Sequence, residues 1–277
     1  MPEIPGLTIR KSNDMQGWGL CIALYGPPGV GKTLRACDLA DSEYGRPLAI
    51  ADAESGSRTI SHRNDIDVIE IKRWSDIEKL ASYMKRSQDL PWKTVVFDNL
   101  SEYNSLCLKQ IVGDDTPQIQ HYNKSTNAML NFVRDTRDVS RRTKINIVYI
   151  IWDAPEKDEQ SGVIKRDVGF TPSLARQFPG IIDMVGYMTA QDSPPYMRKI
   201  TFAAGSRTAA KIRRSNNENA QKIPLTIEFN TAQQPLVDIV NTIVGGMDWP
   251  TLKYVRSSQR STVSNTNTNT NTEENKE

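Results

Sequence analysis

A chain of 277 residues, 38% hydrophobic and 25% charged, holds enough apolar material for one sizeable α/β core and too little length for a second full domain. With 35 Lys and Arg against 33 Asp and Glu its net charge is +2, which excludes a globally basic nucleic-acid binder and confines any basic surface to a patch. Cys21, Cys37 and Cys107 lack Cys-x-x-Cys spacing, and no apolar run approaches the roughly eighteen residues of a membrane span; the expectation is a soluble cytoplasmic protein with buried thiols, no zinc site, no disulfide framework and no membrane partner.

Residues 1–18 are polar, with Ile4, Leu7 and Ile9 scattered among them, and read as a lead-in with at most a short edge strand. The apolar run 20–25 reads as a buried strand and residues 34–40 as the first turns of a helix. Between them, Gly26-Pro27-Pro28-Gly29-Val30-Gly31-Lys32-Thr33 fits G-x-x-x-x-G-K-[ST], a phosphate-binding loop in the strand-to-helix context that the motif requires. The glycines let backbone N–H groups fold into a concave nest for phosphate oxygens, and the following helix aims its positive end at the same place. Lys32 would then reach the β- and γ-phosphates of ATP, and Thr33 would offer its hydroxyl to Mg²⁺.

Gly45-Arg46-Pro47 punctuates the chain, and residues 48–51 make a second short strand ending in Asp52-Ala53-Glu54-Ser55-Gly56. Residues 67–71 alternate as a half-buried strand, and Ser75-Asp76-Ile77-Glu78 reads as a capping box opening a helix through Arg86. After Pro91-Trp92, the run Thr94-Val95-Val96-Phe97-Asp98-Asn99 has the shape of a Walker B strand, whose terminal Asp98 would hold the Mg²⁺ shell opposite Thr33. Asn99 occupies the place where AAA+ ATPases put their water-activating glutamate, so a different base is needed. Glu54, at the tip of the second strand, is the candidate, with a surface turn carboxylate as the bland alternative.

Residues 99–110 read as a helix and 112–120 as a loop. From Lys124 a long helix follows, with Met129, Phe132, Val133, Thr136 and Val139 on one face. It closes on Arg141-Arg142-Thr143-Lys144, which suit a helix C-terminus or, alternatively, a nucleic-acid contact. Residues 145–151 are the next buried strand, 153–167 a polar loop too long for a simple connection, 172–178 a short helix and 182–188 a further strand. Residues 197–203 and 208–214 read as a strand pair joined near Gly205-Ser206, 224–227 as a last strand and 234–244 as a closing helix. From 257 to 277 the composition shifts to an Asn-Thr repeat with an acidic tip, a disordered solubilising or partner-recruiting tail, which leaves 19–256 as the folded unit.

Asp52-Ala53-Glu54 after the second strand resembles the RecA class, in which the catalytic glutamate sits there. From about residue 19 to 245 the order of elements is similar to the compact RecA-core ATPases of bacteriophages, single-strand annealing proteins and recombinases related to RecA, Rad51-type recombinases and KaiC. The likeness takes in residues 94–100 and 122–137, and Ala210-Lys211-Ile212-Arg213 resembles the family's Ala-Lys-x-Arg signature.

The resemblance implies an α/β, RecA-like P-loop NTPase: a mostly parallel central sheet flanked by helices, with a C-terminal antiparallel strand pair. It further implies Mg²⁺-dependent ATP hydrolysis in a homo-oligomer whose Lys211 and Arg213 reach the neighbour's γ-phosphate, acting on single-stranded DNA beside single-strand-binding or replication proteins. Cations at i and i+2 of a strand do point to one side.

One departure is Trp152-Asp153 at the end of the strand, where a His or Gln sensor is expected. Loops 112–123 and 153–170 stand where the family's DNA loops lie. The second carries Lys157, Lys165 and Arg166 but also Glu156, Asp158 and Glu159. Two other readings keep the P-loop: an ATP-gated protein-interaction module of the helicase-loader or KaiC kind, and a small-molecule or nucleoside kinase, whose arginine-rich lid has only Arg166 to represent it.

Overall fold

In the computed structural model, which describes residues 19–157, 164–194, 196–205, 208–213 and 218–254, the first apolar run forms β1 (Cys21–Gly26) and the P-loop passes from it into α1 (Lys32–Cys37). There follow β2 (Leu48–Asp52), β3 (Ile66–Glu70), α2 (Trp74–Arg86), β4 (Thr94–Asp98), α3 (Leu100–Val112), α4 (Ile119–Thr143) and β5 (Asn146–Lys157). The remainder is β6 (Ile164–Val168), α5 (Pro172–Ile181), β7 (Met184–Ala190), β8 (Arg198–Thr201), β9 (Lys211–Ile212), α6 (Glu218–Gln221), β10 (Thr226–Phe229) and α7 (Pro235–Ile243). The lead-in at 1–18, the tail at 257–277, the side chain of Lys157, and Asp158, Glu159, Ser206 and Arg214 lie outside the described residues.

The strands run in the order β10-β8-β7-β1-β5-β4-β2-β3, with β6 added to β5 and β9 to β7. From β7 to β3 all neighbours are parallel, whereas β8 and β10 are antiparallel. This is the mostly parallel α/β sheet with a C-terminal antiparallel pair that the sequence leads one to expect. Both faces are covered, which is why β1, β2 and β4 read as unbroken apolar runs instead of alternating ones. Cys21, Ala23 and Tyr25 face the layer of α2, α3, α4 and α5, while Ile22 and Leu24 face that of α1 and α7. In the first layer the Phe97 and Phe132 rings meet edge-on at 5.1 Å, and the Thr136 and Tyr149 hydroxyls pair at 2.6 Å, so both buried hydroxyls are satisfied.

Several local expectations give way to longer-range contacts. The helix expected to open at a Ser75–Glu78 capping box begins at Trp74, with Arg73 as N-cap and no side-chain cap. Trp74 is buried, so packing extends the first turn, and Asp76 takes the Lys72 N–H at 3.3 Å. α4 begins at Ile119, not Lys124, because Gln118 and His121 form a reciprocal capping box. The described residues of the expected loop at 153–167 form a strand pair: β5 continues past the sheet and β6 pairs with it antiparallel, from Asp153 opposite Val168 to Lys157 opposite Ile164. The strands expected to pair with each other across Gly205 share no ladder there, beyond an isolated antiparallel bridge between Gly205 and Thr208. β8 pairs with β7 and β10, and β9 pairs separately with Met184 and Val185 at the start of β7.

Parallel order brings the C-terminal ends of β1, β5, β4 and β2 to one edge, where α/β sheets carry their sites. β9 lies at the other edge, since Met184 is in register with Ile22, four residues before Gly26.

Candidate active site

The P-loop is held by a backbone approach that only glycine permits. At Gly26, φ is +154°, and a Cβ would lie 2.2 Å from the carbonyl oxygen of Met188 on the adjoining strand. Gly29 and Gly31 turn through φ +80° and +93°, and Gly31 is the N-cap of α1. Because Met188 is backbone in the middle of the sheet, Gly26→Ala is expected to cost about 3 kcal/mol through overpacking. A thermal unfolding midpoint equal to that of the wild type would refute the close approach.

Lys32 is buried, and its ammonium donates to the carbonyls of Gly26 at 2.7 Å and Pro27 at 2.9 Å. Burial lowers its pKa, and the nearby carboxylates of Asp98, Asp153 and Glu54 work the other way. Next to it the Thr33 hydroxyl donates to Asp98 Oδ2 at 2.6 Å. Asp98 is buried at the end of β4, and burial raises its pKa to about 6.

A hydroxyl and a buried carboxylate at the foot of a phosphate loop are hard oxygen donors suited to Mg²⁺. The space is kept open by Gly56, where a Cβ would stand 3.1 Å from Asp98 Oδ2 and 3.7 Å from Thr33 Oγ1. The donors and the cradle fit Mg²⁺, which Thr33 and Asp98 would hold and which would neutralise phosphate charge.

Glu54 is placed by its neighbours. Asp52, buried at the end of β2, accepts the N–H groups of Glu54 (3.0 Å), Gly56 (3.1 Å) and Ser57 (2.9 Å), which fixes the turn carrying the glutamate. Asn99, 1% exposed, donates its side-chain amide to Glu54 Oε2. Its carbonyl oxygen meanwhile accepts the Glu102 N–H at 2.8 Å as the N-cap of α3. Partial burial and the Asp98, Glu102 and Asp52 charges raise the Glu54 pKa to about 6, while a hydrogen bond with the Trp152 side chain opposes the shift. A carboxylate with such a pKa can take a proton from water near neutral pH.

Lys32, Thr33, Asp98 and Glu54 thus come together as the sequence suggests. Lys211 and Arg213 do not join them. At the far edge of the sheet, Lys211 donates to the carbonyls of Pro179 (2.7 Å) and Ile182 (2.8 Å), and Arg213 to that of Gly180 (2.7 Å), with Asp183 at 3.4 Å. The pair caps the C-terminal end of α5 within its own chain, a geometry that lends no support to a grip on a neighbour's phosphate.

Four residues that sequence reasoning gave no place in the site adjoin it. Trp152 is in register with Gly26 and reaches Glu54. Asp153 pairs with Arg166 at 2.7 Å. Arg198 on β8 donates to the Val30 carbonyl at 3.0 Å. Only Trp152-Asp153, at the end of an apolar strand, carried a local signal.

The family model described as "AAA domain" matches residues 18–214. No curated protein matches the chain. Among solved structures, the one titled "Crystal structure of the RadB recombinase" is similar over 79% of this chain and 90% of that one, at 14% identity and a TM-score of 0.44, a likeness too loose to bear on function.

Proposed function

Because the chain belongs to the AAA domain family, matched from residue 18 to 214 and so across the whole P-loop site, we propose that it is a Mg²⁺-dependent ATPase. The observation that carries this reading is the convergence of Lys32, the Thr33–Asp98 pair at 2.6 Å and the Asn99-held Glu54 at one edge of the sheet. Gly26 to Thr33 cradle the phosphates, Lys32 neutralises charge on the transferred group, and Thr33 with Asp98 hold the metal. Glu54 orients water for in-line attack and takes its proton. In the proposed work, hydrolysis drives a homo-oligomer on single-stranded DNA in recombination, annealing or replication.

An ATP-gated protein-interaction module is a second reading, favoured by the hairpin. Its described cations are paired at home, Lys165 with Asp167 at 3.5 Å and Arg166 with Asp153 at 2.7 Å, which weakens any electrostatic funnel for a nucleic-acid strand.

Phosphate release measured with and without single-stranded DNA decides between them. The expected result is Mg²⁺-dependent turnover that rises several-fold with the strand. Turnover indifferent to DNA would leave the ATPase and transfer its work to protein partners, and no turnover in either condition would sink the ATPase itself.

A further inference from the structure

The end of β5 presents a difficulty for phosphate binding. Trp152 is in register with Gly26, the first residue of the P-loop, and Asp153 follows it. The Asp153 side chain is 7% exposed, and its charge acts on the Lys32 ammonium, so a buried carboxylate stands on the side of the site where the phosphates lie. Alone it would repel a triphosphate and could donate nothing to it. Arg166 answers the charge from the returning strand of the hairpin, its Nη1 2.7 Å from Asp153 Oδ2 and its side chain 34% exposed.

Arg166 is tied to the loop-bearing strand. The hydroxyl of Tyr25, immediately before Gly26, donates to the Arg166 carbonyl at 3.4 Å, and the Ala209 N–H reaches the same oxygen at 3.4 Å. Pro155 on β5 is its register partner. The contact with Asp153 takes one of the five N–H donors of a planar guanidinium, a group able to bridge a carboxylate and a phosphate at once, as an ammonium cannot do with the same geometry.

We propose that Arg166, oriented by Asp153, is a cation supplied in cis to the γ-phosphate of a bound nucleoside triphosphate, and that it distinguishes triphosphate from diphosphate. The proposal rests on the nucleotide-binding reading above. It places the discriminating charge on the β5–β6 hairpin, so the state of the nucleotide is felt first by that hairpin.

Calorimetric affinities for a non-hydrolysable ATP analogue and for ADP, both with Mg²⁺, test it on the full chain. Arg166→Ala is expected to weaken analogue binding ~10-fold or more, the worth of a hydrogen bond to a charged group, with ADP held within about 2-fold. Arg166→Lys is expected to recover part of the loss, because it keeps the charge without the fork. Arg166→Gln, which keeps a polar planar group on a shorter stem, serves if the alanine variant is poorly folded, and is expected to discriminate as weakly as alanine. Equal losses for both nucleotides would reduce the ion pair to a brace for the hairpin and overturn the proposal, as would unchanged analogue binding. If the wild type binds neither nucleotide, the functional reading fails and takes this inference with it; if it binds both and the ratio is unmoved by Arg166, the inference alone fails.

Discussion

Lys32→Ala is expected to bring phosphate release to background, a loss on the order of 10³-fold or more. Two consequences of one substitution combine. The ammonium is one of the cations set against the transferred phosphoryl group in the proposed mechanism, and its replacement leaves developing negative charge one counter-charge short in a site that burial has made poorly screened. The same ammonium ties Gly26 and Pro27 by their carbonyls, so alanine also releases the loop from its own lysine. Binding of a fluorescent nucleotide should therefore weaken along with turnover. Turnover within a few-fold of the wild type would mean that the loop is not the phosphate site.

Glu54→Gln is expected to separate the two effects: nucleotide binding is retained and hydrolysis falls by about 10²–10⁴-fold, the usual worth of a general base. Glutamine keeps an oxygen for the Asn99 amide to donate to, so the turn that Asp52 holds need not move. The pH profile supplies a sharper readout. The wild-type carboxylate, with its pKa raised to about 6, is the active base only when ionised; the rate should rise with pH through about 6 and level off above it. In the variant the part of that limb due to Glu54 vanishes, leaving whatever Asp98, also near 6 until a metal binds, contributes. Normal turnover in Glu54→Gln would remove Glu54 from the chemistry.

The legible part of this molecule was what is written locally. A buried parallel strand is a continuous apolar run, so β1, β2, β4 and the first half of β5 could be placed, and the P-loop and Asp98 followed from their ends. Glu54 was legible by elimination, once Asn99 was seen to occupy the position next to Asp98. Partnership was not legible. Nothing around 197–214 distinguishes two strands that pair with each other from two that both pair with β7, since pairing is decided by distant residues. Lys211 and Arg213 show the same limit: alternation correctly puts them on one side of a strand, but what waits on that side, the carbonyl end of α5, is set by the fold. The β5–β6 strand pair looked like a loop because its alternation is between charges; backbone pairing and the Asp153–Arg166 contact hold it, with Val168 fixing its end in the core.

The double duty of Asn99 bears on how such a site can change over generations. Its amide holds Glu54, the proposed base, in the turn after β2 while its oxygen starts α3, at a position 1% exposed. Moving the catalytic carboxylate to the AAA+ position would put a glutamate there, among Glu54, Asp98, Asp52 and Glu102, and would uncap the helix in the same stroke. Mutual repulsion and the missing cap would both have to be relieved before the new carboxylate was of use. With Glu54 as the proposed base, the two layouts of the glutamate are therefore separated by an intermediate that combines repulsion with a lost cap, so Asn99 holds the present layout in place together with Glu54.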